Sequence, residues 1–359
     1  MDLSTRFDGL TLANPLMPAA GPLNGDFAKL KYLWEQGLGG MVTKTISLAE
    51  PLIPKPCIYG DRDYVMNSEL WSEHPLSRWT NEFLPQFAKI NDKPLIVSVG
   101  YSQADMEVLI PALDRFADAF EVSTHYVGSN LEVIADTVKT IKTHTCKPVY
   151  MKISPHIPNP EAFAKAVYEA GASGIVAINS LGPTMKIDID ERRIVYGNAA
   201  GYVWTSGPAI KPIALATVYK IKQAVPELTV IGVGGIKSAT DIIEFLLAGA
   251  SAVQMLSAAL LRGKDLYAKI IAELPETLRK YGFTSIADVC HHKLSNPIRY
   301  QRQAPVVDHG KCTKCRLCER ICPYFAIEFA DRITIDPKKC FACGLCISKC
   351  PVGALRFPD

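Results

Sequence analysis

Thr229-Val-Ile-Gly-Val-Gly-Gly-Ile-Lys-Ser238 decides the fold of this chain. Its first half is rich in β-branched apolar residues without polar alternation, the pattern of a strand covered on both faces, as in a parallel sheet. Gly234 and Gly235 let backbone amides come close to a ligand, and a helix starting at Ser238 turns its positive end toward the same point. With backbone from Leu256 and Ser257 closing the other side, the loop from Gly232 to Ser238 reads as a phosphate grip; the competing reading is a plain strand-to-helix turn. It is not a dinucleotide fingerprint, because Gly-x-Gly-x-x-Gly is absent, and no separate Rossmann unit for a nicotinamide cofactor is found.

Seven more runs of this kind occur: Pro15 to Ala20, Gly40 to Thr45, Pro94 to Gly100, Ala119 to Thr124, Pro148 to Ser154, Gly174 to Ser180 and Ala252 to Ser257. Ala104 to Phe116, Glu161 to Ala170 and Ala239 to Leu247 between them carry helical spacing. Eight alternations over residues 1–300 predict an α/β fold, a (β/α)8 TIM barrel, and the length suits the ~250 residues such barrels take. Barrel enzymes build their sites where the strands end, so the rim holds Gly21, Lys44, Thr45, Ser98, Ser123, Lys152, Asn179, Ser180, Gly234, Gly235 and Ser257. Lys44 and Lys152, charges at the edge of the mouth with no partner visible in the sequence, suggest an anionic ligand. Two connections, Ile46 to about Gln86 and Leu181 to Pro208, are far longer than ordinary barrel loops, and both read as covers of the catalytic face. The first carries Asn67, Glu69 and Trp71; the second carries Lys186, Arg192 and Arg193, which serve equally well as solvated surface charges.

Eight of the eleven cysteines fall in the last 48 residues, as Cys312, Cys315, Cys318 and Cys322 before Pro323, and Cys340, Cys343, Cys346 and Cys350 before Pro351. A cubic 4Fe-4S cluster needs four thiolates, three from a tight C-x-x-C-x-x-C turn and the fourth from the proline-linked cysteine of the other run. One cluster is therefore expected on Cys312, Cys315, Cys318 and Cys350, and its neighbour on Cys340, Cys343, Cys346 and Cys322. A disulfide scaffold and paired zinc sites explain the spacing less well. Residues 301–359 thus read as an α+β, two-cluster, ferredoxin-like domain that moves electrons one at a time. Ser285 to Lys311, with His291, His292 and Lys293, reads as a polar connector. Of Cys57, Cys146 and Cys290, only Cys57, in a long loop, retains a functional reading.

The hydrophobic content of 48% is that of a globular protein, and a net charge of +3 is too weak and scattered for nucleic acid to be the main partner. No apolar run reaches the ~18 residues that span a bilayer. The amino terminus, Met1-Asp-Leu-Ser-Thr-Arg-Phe-Asp8, lacks the form of a secretory signal, so a reducing, cytoplasmic setting is expected.

Longer motifs add a resemblance: Phe7-Asp-Gly-Leu-Thr-Leu-Ala-Asn-Pro15, Val42-Thr-Lys-Thr45, Asn67-Ser-Glu-Leu-Trp-Ser-Glu73, Met151-Lys-Ile-Ser-Pro155, Ile178-Asn-Ser180, Ser206-Gly-Pro-Ala-Ile-Lys-Pro-Ile-Ala-Leu215 and Gly232-Val-Gly-Gly-Ile236. Together they resemble the catalytic module of dihydropyrimidine dehydrogenase and the class 1 dihydroorotate dehydrogenases, over essentially the whole chain. The resemblance implies FMN in the barrel, contacted by Ala20, Gly21, Lys44, Lys152, Gly207, Gly234, Gly235 and Ser257, with Thr45 and Leu256 beside them. Asn67, Glu69, Asn179 and Ser180 match substrate-holding positions, and amides suit a ring that alternates carbonyl acceptors with N–H donors. Lys152 on the pyrimidine edge of the flavin would stabilise its negative reduced form.

One segment departs from the family, whose loop after the fourth strand carries a proton-donating cysteine; here it reads Glu121-Val-Ser-Thr-His-Tyr-Val-Gly128. Ser123 stands for an asparagine and Tyr126 for the cysteine, with His125 adjacent. An imidazole near ~6.5 is better placed for proton donation than a phenol near ~10, so His125 ranks before Tyr126. The expected activity is that of a CH–CH oxidoreductase (EC 1.3 class): FMN reduces an electron-poor double bond, in a pyrimidine-like ring or a conjugated enone or enoate, with electrons entering through two 4Fe-4S clusters. The alternatives are oxidation of a dihydro ring with electrons leaving through the clusters, and a non-catalytic electron relay. A reductase of uridine in RNA also uses an FMN barrel, but the basic patch it needs is missing. Expected partners are a ferredoxin or an FAD subunit that oxidises NAD(P)H, within a homodimer or hetero-oligomer.

Overall fold

The computed structural model describes every residue except 101, 124–129, 297, 299 and 359, in two compact units, Met1–Leu294 and Ser295–Asp359. In the first unit eight strands form one parallel sheet: β1 (Leu16–Pro18), β2 (Met41–Val42), β3 (Leu95–Val99), β4 (Ala119–Ser123), β5 (Val149–Ile153), β6 (Gly174–Ala177), β7 (Thr229–Val233) and β8 (Ala252–Met255). Each expected strand run contains one of them. Going round the sheet from β1, the order is β8, β7, β6, β5, β4, β3, β2, the order of a (β/α)8 barrel. At the seam between β1 and β2, the Gly39 N–H donates to Leu16 O at 3.0 Å.

Side chains alternate along each strand, so the barrel has two separate apolar layers. Val97, Met151, Ile175, Val230 and Val253 point outward and pack with Leu109, Ile134, Phe163, Val218 and Phe245 of the surrounding helices. Met17, Val42, Ile96, Tyr150, Val176, Ile231 and Ala252 fill the interior. Burying each such side chain contributes about 1.5–3 kcal/mol. Four of the outer helices begin at these side-chain caps: Ser102 accepts from Asp105 N–H, Asn130 from Glu132, Asn159 from Ala162 and Ser238 from Asp241. Each cap contributes about 1 kcal/mol and fixes where the helix leaves its loop.

A hairpin, Thr5–Phe7 with Leu10–Leu12, packs against the lower interior layer. Phe7 meets Tyr150 edge-on at 6.2 Å, and the Tyr150 hydroxyl donates to Asp8 Oδ2 at 2.9 Å. Burial, then the Asp8 charge, hold the Tyr150 phenol far above the usual range.

The two long connections are more than loops. Four short strands, Leu181–Thr184, Val203–Ser206, Val65–Asn67 and Ile58–Gly60, pair in that order into an antiparallel sheet, with Trp204 opposite Asn67. Ile58–Gly60 and Val65–Asn67 form a local hairpin, but Val203–Ser206 joins it from far along the chain, and strands of three or four residues are too short for alternation to mark them. Part of the expected connector is likewise regular: Ser285 caps a helix, Ile286–His291, that belongs to the first unit.

In the second unit two small antiparallel pairs, Val306–Val307 with Leu355–Arg356 and Ile327–Phe329 with Ile333–Ile335, accompany short helices at Leu317–Arg320 and Leu345–Ser348. Cys318, Ile327, Ile333, Cys346 and Leu355 form its core.

The seam yields a direct test. A Cβ at Gly39 would stand 1.8 Å from the carbonyl oxygen of Asn14, which is backbone and cannot swing aside. Gly39→Ala should cost about 3 kcal/mol, the upper range for overpacking, seen as a lower midpoint in denaturant; an unchanged midpoint would show that the seam relaxes.

Candidate active site

A cleft of about 1080 Å³ opens where the barrel strands end. Ala20 and Gly21 reach it after β1, Lys44 and Thr45 after β2, Ser123 from the end of β4, Lys152 from β5, Asn179 and Ser180 after β6, Gly234 and Gly235 after β7, and Leu256 and Ser257 after β8. The antiparallel sheet and its flanks add Asn67, Glu69, Trp71, Trp204, Ser206 and Gly207. Trp204, Ser206 and Gln254 were not expected there.

One part of the lining is built for close approach. A Cβ on Gly21 would fall 2.3 Å from Leu256 Cδ2, and one on Gly235 2.9 Å from Lys211 backbone nitrogen. Gly234 and Gly235 hold φ of 118° and 88°, a region that side chains disfavour. Ser257 Oγ donates to Ser206 Oγ at 2.8 Å. Glu69 is the only acidic residue among the described lining, so backbone amides and hydroxyls near the glycines can meet a phosphate without a competing charge. Ala19, Ile178, Val233, Ile236 and Met255 supply apolar lining for a flat ring. The donor set and the shape both fit FMN.

The lysines differ from expectation: both have carboxylate partners. Lys44, 2% exposed, lies 3.1 Å from Glu69 Oε2 and 2.8 Å from Glu73 Oε1. Lys152 Nζ lies 2.9 Å from Oε1 of Glu121, which is fully buried. Burial works to raise the Glu73 carboxyl, but the charge and hydrogen bond of Lys44 outweigh it, and the net shift is downward. Two ammonium groups therefore face three carboxylates, so the two lysines no longer argue for an anionic ligand, and the case for one rests on the glycine and hydroxyl part of the lining.

Glu121 belongs to a polar layer one pleat above the apolar interior. Ser98, Glu121, Lys152 and Gln254 occupy the positions two residues beyond Ile96, Ala119, Tyr150 and Ala252, and so share their inward face. Gln254 Nε2 donates to Glu121 Oε2 at 2.7 Å, Ser98 Oγ donates to Oε1 at 3.4 Å, and Thr45 Oγ1 lies 3.0 Å from Ser98 Oγ. The available signal was an acidic residue inside an apolar strand, Ala119-Phe-Glu-Val-Ser123, which demands a buried counter-charge.

Asn67 and Glu69 hold each other, Nδ2 donating to Oε2 at 3.2 Å and Glu69 N–H to Oδ1 at 2.6 Å. Asn179 Nδ2 donates to Ser123 Oγ at 3.3 Å, and Ser180 N–H to Asn179 Oδ1 at 2.8 Å. The expected proton donors, His125 and Tyr126, lie outside the described residues. Lys186 stacks over Tyr59 and Arg193 pairs with Glu191; neither lines the cleft. Cys57 is buried and also outside that lining.

Among the described residues, two cavities of the second unit are each lined by four cysteines. One, about 350 Å³, is lined by Cys340, Cys343, Cys346 and Cys322; the other, about 300 Å³, by Cys312, Cys315, Cys318 and Cys350. Each draws three thiols from one run and the fourth from the other. Left-handed residues, Lys314 and Arg316 in the first run and Ala342 and Gly344 in the second, wrap the turns. Backbone N–H groups of Ala326, Ala342 and Ala354 donate to the sulfurs of Cys322, Cys340 and Cys350.

Residues 2–278 match the family model described as dihydroorotate dehydrogenase, and residues 311–354 match one described as a 4Fe-4S dicluster domain. Among curated relatives, the catalytic subunit of dihydroorotate dehydrogenase B (NAD(+)) from Oceanobacillus iheyensis is 33% identical, over 80% of this chain and 97% of its own length. The protein of the same name from Pyrococcus horikoshii is 34% identical, over 80% and 96%. That from Methanothermobacter thermautotrophicus is 31% identical, over 80% and 97%. Of the two families in the resemblance, these matches are to the dihydroorotate dehydrogenases. No helix among the described residues is long and apolar enough to cross a membrane. The chain belongs to the dihydroorotate dehydrogenase family, as an iron-sulfur flavoprotein oxidoreductase with a 4Fe-4S dicluster domain after its barrel.

Proposed function

We propose that this protein reduces an electron-poor carbon–carbon double bond in an uncharged, pyrimidine-like ring or cyclic enone, using FMN in the barrel and two 4Fe-4S clusters that bring electrons from a ferredoxin or an FAD-containing, NAD(P)H-oxidising subunit. The observation that carries it is the double engagement of Lys44 by Glu69 and Glu73 in the cleft. A carboxylate on the substrate would enter a pocket whose cations are already neutralised, at the full cost of desolvating its charge. The carbonyl and N–H groups of a neutral ring instead meet Asn67, Asn179, Ser180 and the Glu69 carboxylate, each with complementary donors or acceptors.

FMN, when bound, supplies hydride chemistry and one-electron transfer in a single group. This chain's residues do the rest. Gly234, Gly235, Ser206 and Ser257 would hold the FMN phosphate, and Lys152 would supply positive charge toward the flavin ring. Asn67 and Asn179 orient the substrate and stabilise charge that builds on its carbonyl oxygen. His125, or Tyr126 after it, donates the proton to the carbon next to that carbonyl. Both cysteine cavities support the crossed pairing of thiolates to clusters. A second reading, oxidation of dihydroorotate, is favoured by the names of relatives that match over 97% of their length; as those names specify a catalytic subunit and NAD+, it too calls for a separate electron-transfer partner.

Steady-state assays of the purified holoenzyme with a low-potential donor should show turnover of uracil, thymine or a cyclic enone and little of orotate. Dihydroorotate oxidised at least tenfold faster than any uncharged substrate is reduced would establish the second reading instead. His125→Asn should lower kcat by about 10²–10⁴, and a larger loss in Tyr126→Phe would reassign the donor. Iron analysis should find about eight atoms per chain, falling to about four in Cys350→Ser with loss of the Cys312, Cys315 and Cys318 cluster. Because the Glu73 carboxyl is depressed, its pair with Lys44 stabilises the fold above the ordinary carboxyl value of 4.5 and loses that effect as pH falls through the lower folded value. Glu73→Gln should therefore melt below the wild type from pH 7 to pH 5, with the gap closing only in stronger acid.

A further inference from the structure

We propose that Glu121 is the built-in counter-ion of Lys152 and lowers the readiness of the flavin in the barrel mouth to accept electrons. This rests on the reading that FMN binds there. Glu121 is fully buried in the middle of β4 and does not itself line the cleft, whereas Lys152 and Gln254 do. Its two oxygens are held separately. Lys152 Nζ and Ser98 Oγ approach Oε1 at 2.9 and 3.4 Å, and Gln254 Nε2 donates to Oε2 at 2.7 Å. A set of donors converging on two oxygens suits a carboxylate anion.

The Gln254 amide has only one sensible orientation, since the group facing a carboxylate must be its nitrogen. Its Oε1 is then left buried, without a hydrogen-bond partner among the described residues, on a side chain that lines the cleft. Glu121 is in this way fixed from two sides and cannot turn away from Lys152.

An ammonium at the polar edge of a flavin stabilises the negative charge gained on reduction. Here the ammonium shares its charge with a carboxylate, and screening between buried groups is weak. The pair acts as a dipole more than as a free cation. Glu121 therefore weakens the pull of Lys152 and leaves the flavin a stronger reductant, as reduction of a double bond requires. Glu121 is a positioning residue, acting through Lys152.

A redox titration of the purified holoenzyme with mediator dyes, following the FMN absorbance at pH 7, tests this. Glu121→Gln keeps the shape and removes the charge; the two-electron equilibrium should move at least tenfold toward reduced flavin, about 30 mV. Glu121→Asp keeps the charge and should move it less than threefold, even if its melting temperature falls. On a Lys152→Met background the effect of Glu121→Gln should fall below threefold, because Glu121 acts through the Lys152 ammonium. Should Glu121→Gln fail to fold, Gln254→Leu decides: losing the donor on Oε2 tightens the hold on Lys152 and shifts the equilibrium the opposite way. An unchanged potential in either variant, or an equal shift in Glu121→Asp and Glu121→Gln, overturns the proposal. Protein that neither carries nor takes up FMN removes the underlying reading before any titration begins, and this inference falls with it.

Discussion

A buried charge must be neutralised where it stands, and this constraint organises the barrel mouth. Removing one partner of a buried ion pair typically costs about 3–5 kcal/mol, so Lys44 and Lys152 are tolerated only because Glu69, Glu73 and Glu121 come with them. Those carboxylates arrive from two places: the middle of β4, and the segment that follows the strand Val65–Asn67 of the antiparallel sheet. The closed parallel sheet makes this possible. All eight strands run the same way, so their ends converge on one mouth, and the alternation along each strand lifts Ser98, Glu121, Lys152 and Gln254 together above the apolar interior.

The same constraint shapes the chemistry. Once the lysines are paired, the described lining of the mouth carries no uncommitted lysine or arginine, and on the proposed reading recognition of the substrate falls to amides and hydroxyls. The phosphate part of the cleft is different: its glycines, Ser206 and Ser257 offer backbone and hydroxyl groups and no acid. On the function proposed above, a single cleft would separate a region for a charged tail from a region for a neutral ring. In the second unit the ordering principle is covalent geometry. Left-handed turns between closely spaced cysteines gather three thiols round each cavity, and the fourth comes across from the other run.

Much of this was legible without coordinates. Eight apolar runs with helical spacing between them specify a parallel barrel, because a strand buried on both faces cannot alternate polar and apolar residues, and each predicted run contains a barrel strand. The residues named at the rim, from Gly21 to Ser257, sit at strand ends, and strand ends in a barrel share one mouth; that is why those among the described residues reach the cleft, except Ser98, which is buried beneath it. Less legible was the antiparallel sheet over the mouth, whose strands are only three or four residues long and whose two halves, from the two long connections, lie far apart in the chain. Trp204 and Ser206 enter the site only through it.

By itself, then, the amino-acid order determined the barrel, the crossed cysteine sets and the rim, since these depend on local periodicity, spacing and the direction of strands. Tertiary structure alone decided which charges meet. Lys44 looked unpartnered because Glu69 and Glu73 lie more than twenty residues on, and Lys152 and Gln254, the partners of Glu121, come from other strands. Electrostatic energy falls with distance in space and is indifferent to distance along the chain, so the sign and strength of the site's field could be read only after folding.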